Sequence, residues 1–169
     1  MLEELFPVQF IEGINENVKN IKNELLQINT YDYVATQFVP AHTFLLTESE
    51  IYLAWDAFSQ REEYIVRLYS DYKDKPTEII LREGKLVFDT SPSGYGWCKI
   101  SLNEPIVIFA KNKYWLCLKS RDALFSLLQA KEGKESSFRE YTDGGWLGNV
   151  LDKYRVMIKF YGRVFPVSS

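Results

Sequence analysis

Short apolar runs punctuated by single glycines fill the second half of the chain, and a backbone interrupted this often cannot be carried by long helices. In "EIILREGKLVFD" the pair Glu83-Gly84 separates an Ile/Leu segment from a Leu/Val/Phe segment. "PIVIFAKNKYWLCLK" repeats the form around Lys111-Asn112, and "YRVMIKFYGRVFP" repeats it around Tyr161-Gly162. A two-residue hairpin demands positive φ, which glycine and asparagine supply most cheaply, so the spacing predicts three β-hairpins turning at these pairs. "GWCKISL" adds a strand, and "TYDYVATQFV", which runs into Pro40, adds another. The expectation is an antiparallel, meander-like and curved sheet of about six or seven strands.

Other stretches carry helical spacing. Ile14, Val18, Ile21, Leu25 and Ile28 step by four and three, which lines one face of an amphipathic helix near the N-terminus. Asn15, Asn17, Asn20 and Asn23 occupy the other face, an unusual choice given the poor helix propensity of asparagine. Thr47 and Glu50 have the spacing of a capping box, which predicts a helix from Glu48 to about Gln60 burying Ile51, Trp55 and Phe58. Ile65, Tyr69 and Tyr72 keep helical phase, yet the β-branched and aromatic density from Tyr64 to Tyr69 favours a strand there. A third helix is predicted from Ser120 to Gly133, with Ala123, Leu124, Leu127 and Leu128 as its stripe. Residues 134–149 read as a loop. The fold class expected is therefore α+β, with three helices packed on the sheet.

With 169 residues the chain suits a single domain that needs no disulfide or metal to fold. Cys98 and Cys117 sit in apolar runs without zinc-site spacing and are expected to be buried free thiols. Nine acids and two lysines occupy the first 60 residues, while the remainder is basic, so the two parts are expected to attract each other within one fold. No basic leader precedes an apolar stretch, and no run of about 18 apolar residues occurs. A cytoplasmic protein with no membrane partner is the expectation.

"GYGWCK" has a dinucleotide-fingerprint start, but Lys99 stands where the third glycine is needed and a strand follows instead of a helix. It reads instead as a turn in which Gly94 and Gly96 flank Tyr95 and Trp97. Glu83-Gly84-Lys85 has the acid-x-lysine spacing of metal-dependent nucleases, with Asp71, Asp74 and Glu78 nearby in sequence, but a hairpin tip explains it as well. His42 is the one histidine, and nothing in the sequence brings it to Cys98 as a nucleophile-base pair. Serine-hydrolase, Walker and paired Cys/His signatures do not occur. These readings give no catalytic residue, no metal ligand and no cofactor.

The functional expectation is a non-catalytic module that binds another protein, such as a bacterial immunity protein or phage-encoded inhibitor, through Tyr95, Trp97 and Trp146 presented on loops. One alternative is a small-ligand carrier whose curved sheet encloses an aromatic pocket. Another is a single-stranded nucleic-acid binder: in the C-terminal strand Tyr154, Val156, Ile158 and Phe160 fall on one face and Lys153, Arg155, Met157, Lys159 and Tyr161 on the other. Arg155, Lys159 and Tyr161 would then supply phosphate contacts and a stacking ring.

Overall fold

Strand alternation, with its interruptions, organises the molecule. A computed structural model describes residues 6–17, 21–27, 33–55, 64–87, 94–119, 125–130, 133–142, 145–147 and 155–165. These residues form twelve β-strands: β1 Gln9–Ile14, β2 Ile21–Gln27, β3 Tyr33–Phe38, β4 Phe44–Trp55, β5 Tyr64–Tyr72, β6 Lys75–Val87, β7 Gly94–Ile108, β8 Tyr114–Lys119, β9 Phe125–Ala130, β10 Phe138–Thr142, β11 Gly145–Leu147 and β12 Ile158–Val164. No helix occurs among the described residues, so the fold is all-β and the α+β expectation is overturned. The strands join one antiparallel sheet that curls into a half-barrel, in the order β1-β12-β4-β7-β6-β5-β8-β3-β10-β11, with β9 pairing both β4 and β2.

Each predicted helix that falls on described residues is strand instead, with register shifts in β4 and β2 and none within β9. In β4 the inward residues are Phe44 and Leu46, then Ser49, Ile51, Leu53 and Trp55, so the phase changes near Thr47. Both neighbours record that change, as register shifts between Leu46 and Glu48 against β7 and between Tyr161 and Gly162 in β12. Thr47 is the extra residue of that bulge, and Glu50 follows in the same strand, so their capping-box spacing starts no helix. Trp55 is buried as expected, but on a strand. Along the N-terminal stripe β1 ends at Ile14, and the chain turns at Asn15 with φ 53°. The chain then re-enters the sheet as β2, whose register skips between Lys22 and Leu25. Leu127 and Leu128, assigned to the third helix, lie in β9 opposite Leu26 and Leu25. Val18, Ile28, Phe58, Ala123 and Leu124 lie outside the described residues.

Of the three hairpins expected at glycine or asparagine pairs, two positions lie within strands and the third turns between strands that do not pair. β6 runs straight through Gly84, because a Cβ there would press on the Ser101 carbonyl of β7. β12 runs through Gly162 for the same reason, the Leu45 carbonyl of β4 leaving no room for a Cβ. Lys111 does turn, with φ 69°, yet it joins strands that do not pair, since β6 and β5 lie between β7 and β8. The tight hairpin is at Lys73-Asp74, both with positive φ (50° and 61°), where Tyr72 faces Lys75. This is the type I′ geometry whose twist suits paired strands. The meander expectation holds for β5, β6 and β7, which are neighbours in both sequence and sheet.

The core fills the inside of the curl. Phe38, Phe44, Ile51, Leu53, Leu68, Ile100, Ile108, Leu116, Ile158 and Phe160 meet there, with Phe38 set between Tyr114 and Phe160 at ring separations of 5.6 and 4.6 Å. Val156, Ile158 and Phe160 face inward as the alternation predicted. Cys98 and Cys117 are buried free thiols, also as expected. Five-residue connections carry the chain from β3 to β4 and from β7 to β8, and they lie together: Lys111 N–H donates to Pro40 O at 2.8 Å and Ala110 N–H to Thr43 Oγ1 at 2.9 Å.

Candidate functional site

Pairing of β7 with β4, and of β4 with β12, assembles a surface from residues far apart in sequence. Cys98 and Ile100 of β7 point into the core, so Tyr95, Trp97 and Lys99 point outward. Opposite them on β4 stand Ala54, Tyr52 and Glu50, and Lys159 of β12 lies opposite Glu50 on the other side. Trp97 is half-buried: its ring meets Tyr52 edge to face at 5.3 Å, and the Lys159 ammonium lies 4.2 Å from its centroid. A cation over an indole face strengthens such a contact and holds the ring in one orientation. Tyr95, by contrast, is 70% exposed.

The charges on this face are matched. Lys99 Nζ lies 2.8 Å from Glu48, and Tyr161 donates a short hydrogen bond to Glu50. Burial, the bond to Glu50 and the neighbouring carboxylates together push the Tyr161 phenol up to about 12. Burial, with Tyr95 beside it, raises the Tyr52 phenol. Phe10 of β1 packs on Tyr161 at 5.8 Å and extends the apolar surface at its edge.

Trp146 belongs to a different part of the outer surface, separated from β7 by β6, β5, β8, β3 and β10 in the sheet order. It joins Tyr33, Tyr69 and Tyr141 at centroid separations of 6.5, 6.2 and 5.5 Å, above the buried Ala35, Trp115 and Cys117. Thr77, Glu78, Ile80 and Arg67 complete a groove of about 360 Å³ there. Arg67 donates to Glu83 at 3.1 Å and to the Tyr69 hydroxyl at 3.4 Å, and the bond to Tyr69 is the main influence raising the guanidinium pKa. Burial raises the Tyr69 phenol, against the opposing pull of Arg67. Beneath the groove Trp115 Nε1 donates to Asp71 at 2.8 Å, anchoring the Lys73-Asp74 hairpin.

Tyr95 and Trp97 share one face with Lys159 and Tyr161, a convergence that residue types alone did not reveal. Tyr95 and Trp97 lie within a strand where a turn was expected, and Trp146 lies in β11. Arg155 precedes β12 and approaches Glu135 at 4.0 Å. Glu83 serves Arg67, and no group of three His, Cys, Asp or Glu side chains among the described residues is placed to hold a metal ion. His42 is exposed beside Glu12, whose carboxylate accepts from the Ala41 and His42 backbone N–H groups, whereas Cys98 is in the core. No helix among the described residues is long and apolar enough to cross a membrane. No known family model matches this chain, and no curated protein matches it significantly.

Proposed function

We propose that the chain is a non-catalytic binding module that covers a partner protein's surface with the outer face of β4, β7 and β12, in the manner of an immunity protein or phage-encoded inhibitor. The observation that carries this reading is Tyr95, 70% exposed near the start of β7 where it pairs with Ala54 of β4, beside a Trp97 held by Tyr52 and Lys159. A rigid aromatic pair on a regular scaffold loses little conformational freedom on binding, and tyrosine and tryptophan are the side chains interface hot spots favour. The Lys99–Glu48 pair beside them provides a polar rim of both signs, which suits a protein surface. Affinity capture from the native source, followed by a titration with the purified partner, tests the reading. Tyr95→Ala is expected to weaken the complex at least tenfold while leaving the unfolding midpoint unchanged. A partner held equally well by the Tyr95→Ala protein contradicts it.

Nucleic acid is a poorer occupant of the same face. Lys159 lies against Trp97, and Glu48 and Glu50 share the face with Lys99 and Lys159, so carboxylates would repel the phosphates that the lysines attract. A ligand enclosed by the curl of the sheet is also less favoured, because Phe38, Phe44, Tyr114 and Phe160 occupy that space.

A further inference from the structure

Four aromatic rings and three polar side chains converge outside the proposed protein-binding face, and their chemistry selects a ligand. Tyr33 meets Tyr141 at 5.4 Å and 89°, Tyr141 meets Trp146 at 72°, and Tyr69 meets Trp146 at 75°. Rings tilted against each other in this way leave no parallel slot into which a flat aromatic ligand could insert between two faces. What they offer is one-sided apolar contact. Around them stand Arg67, Glu78 and Thr77, the Thr77 hydroxyl being held by Ser70 Oγ at 2.7 Å and by the Ile79 N–H at 3.2 Å. The charge of Arg67 is offset by Glu83 at 3.1 Å, and Glu78 adds a negative charge on the rim. An anionic ligand would meet two carboxylates and a cationic one would meet the guanidinium, so neither sign is favoured. A neutral molecule with apolar C–H faces and many hydroxyls satisfies both the rings and the mixed donors and acceptors. The volume of about 360 Å³ falls within the range of small-molecule sites.

We propose that the groove formed by Tyr33, Arg67, Tyr69, Glu78, Tyr141 and Trp146 is a binding site for a neutral saccharide, stacked on the aromatic cluster with its hydroxyls directed to Arg67 and Glu78. The site is independent of the Tyr95 face, so either can fail without the other.

The test is a titration of the isotopically labelled protein, followed by NMR, with neutral trisaccharides of glucose, galactose, mannose and N-acetylglucosamine. Glucosamine and glucose 6-phosphate serve as the charged counterparts. At least one neutral trisaccharide is expected to shift the Trp146 indole N–H and the Thr77 and Glu78 amides saturably, with the Trp97 indole unmoved. Trp146→Ala is expected to weaken that binding at least tenfold. Glu78→Ala, at an exposed position that folding does not need, is expected to weaken it at least threefold, and it decides the matter if Trp146→Ala does not fold. Silence from all four trisaccharides, equal binding by the Glu78→Ala protein, or tighter binding of either charged sugar overturns the proposal.

Discussion

Single residues explain why the turns were misplaced in the sequence reading. Glycine marks positive φ in many turns, but Gly84 and Gly162 are required because carbonyls of the adjacent strand, on Ser101 and Leu45, occupy the space a Cβ would fill. The hairpin between β5 and β6 uses Lys73 and Asp74, neither of them a glycine, and so left little signal. Asn15 was legible as an oddity: asparagine tolerates the left-handed region, and its amide bonds to Lys134 N and O, both at 2.7 Å, and to Val156 O at 3.1 Å. Gly162→Ala is expected to destabilise by about 1 to 3 kcal/mol through forced strand separation. Gly145→Ala, with open space around its Cβ position, is expected to stay within about 0.5 kcal/mol in the same urea titration. Tyr161 gives a pH test. Its folded pKa of about 12 lies above the ordinary phenol value of 10.0, so its stabilising contribution is complete below about pH 10 and lost as pH rises toward 12. Tyr161→Phe is expected to flatten the decline in stability over that window, and parallel pH profiles for the two proteins would contradict the assignment.

At the scale of elements, the four-residue step, which a strand and a helix share, accounts for the false helices. Ile51 and Trp55 are four residues apart, an even step that puts both on the inner face of β4 as readily as on one side of a helix, and Ile21 and Leu25 in β2 have the same spacing. β3 and β8 were legible as strands in position, and Val156, Ile158 and Phe160 at β12 match the sequence reading in direction of burial. Local propensity did not decide β9, where Leu127 sits opposite both Leu26 and Leu53 and the ladder fixes the conformation. The position of the tight hairpin can be checked with Lys73→Asn, which is expected to stabilise the protein by roughly 0.5 kcal/mol because asparagine adopts the required φ more readily than lysine. A neutral result with a gain from substitution at Glu83 instead would place the turn where the sequence first suggested it.

Across the whole molecule, the candidate site was legible as residue types but not as a surface. Tyr95, Trp97, Lys159 and Tyr161 were all visible in the sequence, yet that they share a face depends on β4 lying between β7 and β12, a non-local pairing that alternation does not encode. Trp146 has the same composition signal and belongs to another cluster, because β10 and β11 attach at the opposite end of the sheet order. The acid-rich first part and the base-rich remainder do meet, in the Glu48–Lys99 pair that bridges β4 and β7. Trp115→Ala, removing a fully buried ring and its bond to Asp71, is expected to cost about 3 to 5 kcal/mol, whereas Tyr95→Ala is expected to change stability by less than about 0.5 kcal/mol. The most direct test of the assembled face is the NMR contact between Trp97 and its neighbours. Cross-strand signals from Trp97 to Tyr52, with the Lys159 side-chain methylenes shifted by the indole ring, are expected; a helical run of sequential amide contacts from Thr47 to Trp55, without any Trp97–Lys159 contact, would contradict the account.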